Sequence, residues 1–111
     1  MSHPGTIDTV LEALADYRRR KVCEYLVREG TCIETADVVT HLSAELSTSS
    51  TASPTSNQRL EVGLHHVHLP LLDDADVLEY DDRANSVEPD RNLAVAETIL
   101  EAVPENAAET A

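Results

Sequence analysis

Apolar residues recur along this chain mostly at helical spacing, and polar breaks divide them into six segments. Residues 1–5 read as a flexible start. Thr6 or Asp8 can cap a first helix carrying Val10, Leu11 and Leu14. Asp16 is a second cap, ahead of a run from Tyr17 to Glu29 with Val22, Cys23, Leu26 and Val27 on one face, and Gly30 is a natural stop. Thr35 is placed to cap a third helix, with Val38, Val39, Leu42 and Leu46 on one side.

Ser47 to Asn57 is too polar to be core and reads as a loop. A longer helix is expected from about Gln58 to Asp74. Leu60, Leu64, Val67 and Leu71 form one apolar stripe on it, and Val62, Leu69 and Leu72 form another. A helix apolar on two sides packs against two things, the domain core and a partner. Pro70 should kink or locally break it. Val77 to Tyr80, a polar turn from Asp81 to Ser86, and Val87 to Pro89 make a β-hairpin, with Pro89 either ending its strand or marking an edge. Leu93, Val95, Ala96, Ile99, Leu100 and Val103 make a last amphipathic helix. The order predicts a mostly α, α+β chain of winged helix-turn-helix type. Its winged-helix domain spans 6–90, a helix over 91–103 serves dimerisation, and 104–111 is a disordered tail.

Composition sharpens this picture. A chain of 111 residues suits one domain, and the absence of Phe and Trp forces an aliphatic core. The net charge is −13, from 21 acids and 8 bases, and Lys21 is the sole lysine. Acids scattered through apparently folded segments suit a cytoplasm of molar salt, where self-repulsion is screened within a few ångströms. The plainer alternative is an acidic protein of an ordinary cytoplasm that avoids nucleic acid. No segment reads as a signal peptide or a membrane span, so a cytoplasmic location is expected, with Cys23 and Cys32 as thiols.

The stretch from Arg59 to Asp81, with its core His68-Leu69-Pro70, resembles the HLPxLxxAGxVxYD signature of an uncharacterised winged-helix family of haloarchaea. Leu14 to Leu26, containing Arg18-Arg19-Arg20, is similar to that family's L-x-x-x-RRR-x-V-x-x-YL signature. The resemblance covers roughly residues 7–88, and a more distant one is to ArsR-type repressors. It implies a winged helix, salt adaptation and a transcriptional role. Two departures stand out. Asp76 replaces a usual Gly and must make a turn of positive φ, and Leu71 replaces a usual Lys, adding an exposed apolar side chain.

Candidate chemistry follows from the helix-turn-helix reading. Asn57, Gln58 and Arg59 begin the expected recognition helix, where side chains reach base edges, although any soluble helix has a polar start. His66 lies further along it, and Arg83 sits near the hairpin tip. Arg18 and Arg19 are candidates for phosphate contact, or else pair with local acids such as Asp16 and Glu24. His65 and His68 have i, i+3 spacing, and His41 or a cysteine could complete a metal site, but no Cys-rich motif accompanies them. No enzymatic motif is present and no cofactor is implied. The expected function is a dimeric DNA-binding transcription regulator. The alternative is a winged-helix protein–protein interaction module that does not bind DNA.

Overall fold

The computed structural model describes residues 4–46 and 54–102. Helix α1 (Pro4–Ala13) leads into α2 (Tyr17–Glu29), then β1 (Ile33–Glu34) and α3 (Thr35–Leu46). Helix α4 (Pro54–Gly63) passes through a π-helical turn (Leu64–His68) into α5 (Leu69–Asp74). Strands β2 (Leu78–Asp81) and β3 (Ser86–Pro89) and helix α6 (Leu93–Ala102) complete an α+β fold. The expected tail, 104–111, and the loop residues 47–53 lie outside the described residues.

Local signals account for most boundaries. Asp16 caps α2 through its carboxylate, which accepts from the Arg18 amide at 2.8 Å. Gly30 ends α2 at φ 68°, its amide donating to the Leu26 carbonyl. Helix α1 begins at Pro4, within the stretch expected to be flexible. Helix α4 begins at Pro54, four residues ahead of the expected start, because proline at the head of a helix lacks only an amide that would be unpaired anyway.

One strand was not anticipated. Ile33 and Glu34 pair antiparallel with Val87 and Ser86, so the hairpin becomes a three-stranded sheet of order β1-β3-β2. Two residues are too few to show alternation. Thr35 does not act as the expected cap. Its amide and hydroxyl both donate to the Asn85 carbonyl, at 2.9 and 3.2 Å, which pins α3 to the hairpin turn. Pro89 ends β3 and pairs with Leu78 of β2 alone, since β1 covers β3 only at Ser86 and Val87, so the proline sits at a local edge of the central strand.

The core is aliphatic. Val10, Val22, Leu26, Val38, Leu42, Leu64, Leu72, Val77, Leu78 and Val87 are fully buried, with Leu93 and Ala96 of α6 closing one side. Cys23 is buried among them and burial pushes its thiol up to about 12, whereas Cys32 is exposed. Neither is in a disulfide.

The long helix departs most from expectation. Its two stripes do not survive as drawn: Leu64, Leu69 and Leu72 are buried, Leu60 and Leu71 pack partly against the core, and Val62 and Val67 are exposed. Leu71 is therefore not the exposed apolar side chain inferred from its position. The wide turn explains the mixture. Pro70 has no amide to offer the carbonyl four residues back, and its ring would press on it. Ahead of it the Leu69 amide donates to Leu64, five residues back, which opens the turn and shifts the faces.

Asp76 adopts φ 60°, the left-handed conformation its position demanded, and Arg91 bridges to its carboxylate at 2.6 Å. Alanine lacks aspartate's local hydrogen-bonding compensation in this region. Asp76→Ala is expected to lose about 1 kcal/mol in urea unfolding while Asp76→Gly holds wild-type stability. Equal losses would show that the ion pair, not the backbone, matters at this turn.

Candidate functional site

Four consecutive basic residues open α2, and all four are engaged within the fold. Arg18 pairs with Asp16 at 2.9 Å. This pairing holds the Asp16 carboxyl well below the usual carboxylate range. Arg19 donates from Nε to the Ala13 carbonyl at 2.6 Å and from its terminal nitrogen to His68 Nδ1 at 3.1 Å. Arg20 donates to the Leu14 carbonyl at 2.8 Å, and Lys21 pairs with Glu24. Arg19 and Arg20 thus close the C-terminal end of α1, whose last carbonyls have no helical partner of their own. The cluster is a clasp, and both hydrogen bonds of Arg19 are made within the fold.

The three candidate metal histidines are separated. His65 shares a 2.6 Å hydrogen bond with the Tyr80 hydroxyl, linking the π-turn to β2. His68 is buried against Arg19. His41 stacks on Tyr25 with ring centroids 4.2 Å apart and lies near Glu45 and Arg28. Among the described residues no group of three metal-binding side chains converges. Each of the three rings is held by a different neighbour, Tyr80, Arg19 and Tyr25.

A guanidinium only donates, so His68 Nδ1 must accept and the ring is the neutral tautomer with its proton on Nε2. Burial lowers the pKa of His68 from its usual 6.5, Asp16 opposes the shift, and Arg18 and Arg19 add to it. A histidine lowered in the folded state binds its proton more readily when unfolded. The stability it contributes is full above 6.5 and is lost as pH falls through 6.5 toward the folded value. Melting temperature is expected to drop from about pH 7.5 to about pH 5.5, and His68→Gln should flatten that drop. An unchanged pH profile in the variant would exclude His68 as its source.

The exposed face of the long helix gathers the other candidates. Gln58, Val62 and His66 follow one another at four-residue steps, and Arg59, Gly63 and Val67 form the adjacent row. All are exposed except Gly63, which is half-buried. Nothing is described of the Asn57 side chain. Arg83 is exposed in the hairpin turn, where the Asp81 carboxylate accepts from the Arg83 and Ala84 amides. Arg28 lies 5.5 Å over the Tyr25 ring and Arg91 bridges to Asp76. Of the eight basic side chains, Arg59 and Arg83 are the two without an ion pair or hydrogen bond to any described residue. Sequence order could not reveal this, since it depends on which cations the fold consumes. A polar crevice of about 410 Å³ runs beside this face, lined by Glu34, Thr35, Glu61, His65 and Asn85.

The molecule is thus a helix-rich α+β domain with a three-stranded antiparallel sheet, a long helix broken by a π-turn, and one mixed polar and apolar face on that helix. It belongs to a family defined as a domain of unknown function (DUF7344), whose model matches residues 11–88. No curated protein and no solved structure matches the chain. Among the described residues no helix is long and apolar enough to cross a membrane.

Proposed function

We propose that this chain is a winged-helix DNA-binding transcription regulator of a salty cytoplasm, acting as a homodimer. The observation that carries this reading is the placement of the two uncommitted arginines, one on the exposed face of the long helix and one in the hairpin turn. In a winged helix those are the recognition helix and the wing. Element order and the sheet order β1-β3-β2 support that assignment, as do the two signatures similar to the haloarchaeal family, with a distant likeness to ArsR-type repressors. Ile7 and Leu11 are exposed on α1, which packs beside α6, and this apolar face suits a dimer seam. Net charge of −13 opposes long-range attraction to DNA, but in molar salt that term is small for any protein, and close contacts decide.

Fluorescence anisotropy with labelled genomic fragments in molar KCl tests the reading. A subset of fragments should bind, and Arg59→Ala should weaken them about tenfold or more. Folded protein that binds no fragment sinks it. The second reading, a protein–protein interaction module, is favoured by Val62 and Val67, which are exposed on the same face.

A further inference from the structure

We infer that the exposed face of the long helix reads thymine through its 5-methyl group, with Val62 and Val67 as the specificity-determining side chains. The inference rests on the DNA-binding reading and names what that surface recognises. Val62 is 57% and Val67 51% exposed, although both stand on a helix whose other described aliphatic side chains, from Leu60 to Leu72, are buried or half-buried. They stand five positions apart, Val62 in α4 and Val67 within the π-turn, whose wider winding narrows the angle that five α-helical steps would put between them.

Gly63 lies between Arg59 and Val67 in the same row, but a Cβ there would meet the His68 ring at 3.8 Å, so this glycine packs toward His68 and the two valines are the apolar groups of the exposed face. Gln58, Arg59 and His66 surround the valines with hydrogen-bonding groups. In the major groove, donors and acceptors identify adenine and guanine, and the one apolar mark on a base edge is the thymine methyl. The nearest acid on the helix, Glu61, lines the neighbouring crevice with His65 and so lies to the side of this face. A surface with one formal cation and two bare valines gains little from phosphates, so its selectivity must come from shape and apolar contact.

The test selects duplexes from a random library with the full chain in molar KCl, then replaces each thymine of the selected site by deoxyuridine. Each contacted methyl should be worth about fourfold in affinity. Val62→Ala and Val67→Ala should each lose part of the preference for thymine over uracil, and the double variant most of it. Both residues are exposed, so circular dichroism should show both variants folded. Equal affinity of the wild type for thymine and uracil duplexes would overturn the inference and leave DNA binding standing. If no duplex is selected, and the two variants instead change the chain's oligomeric state, both readings fall and the face is a protein contact.

Discussion

Replacing Arg19 with alanine is expected to lower the melting temperature by roughly 10 °C or more. The side chain makes two charge-assisted hydrogen bonds, to the Ala13 carbonyl and to His68 Nδ1, and it is partly buried while doing so. Its removal leaves the end of α1 unclosed and a buried imidazole nitrogen without its donor. Such losses cost about 1.5–3 kcal/mol each when taken singly, and two made by one side chain add to less than their sum. For a domain of this size about 1 kcal/mol moves the midpoint by roughly 4–8 °C. Arg18→Ala is the matched control, because that guanidinium is half exposed and its ion pair with Asp16 is worth little in water. Its loss should stay within about 0.5 kcal/mol, since the Asp16 cap to the Arg18 amide remains. Thermal melts by circular dichroism separate the two. If Arg19→Ala melts with the wild type yet weakens DNA binding, the side chain acts on phosphate and the clasp is incidental.

That contrast shows what the chain discloses and what it withholds. Asp16 and Gly30 were legible because capping is local: a carboxylate two residues from an amide and a residue free to take positive φ act within one turn. The positive φ at Asp76 was legible only through the family resemblance, in which a glycine usually stands at that turn, because nothing local to the aspartate announces it. The aliphatic core followed from the absence of Phe and Trp. Strand β1 was not legible, because its two residues become a strand only when Val87 and Ser86 lie opposite. The π-turn was not legible either. Pro70 signalled a disturbance, but a kink, a break and a widened turn all answer the missing amide, and spacing alone does not choose among them. For the candidate site, the polar start of the long helix was visible as a string of residues. Which arginines remain available was not, since Arg19 and Arg20 are each committed by a hydrogen bond to a carbonyl six residues back, across the turn between α1 and α2, which no spacing rule encodes.

Raising KCl from about 0.1 M to about 2 M should lift the melting temperature by roughly 10 °C or more. The chain carries a net charge of −13, and on a body this small its self-repulsion falls by an amount on the order of a few kcal/mol as the screening length shrinks from about 10 Å to below 3 Å. The unfolded chain repels itself too, but over longer distances, so the folded state gains more. The repulsion is sharpest on the hairpin. Glu79 and Glu88 stand directly opposite each other in the β2–β3 register, where like charges are unfavourable. A hydrogen bond shared with Glu88 and the charges of Asp90, Glu88 and Asp73 raise the pKa of Glu79 above the usual carboxylate value, although the group is in water. Glu88→Gln should therefore raise the melting temperature at low salt, and the advantage over wild type should shrink as KCl rises. The variant keeps the size of the side chain, which is exposed, so its effect reads charge and not packing. A wild-type melting temperature that does not move with KCl would sink the salt-adapted reading. The acidic surface would then belong to a protein of ordinary ionic strength, where a charge of −13 weighs directly against DNA binding and the exposed valines are better explained as a protein contact.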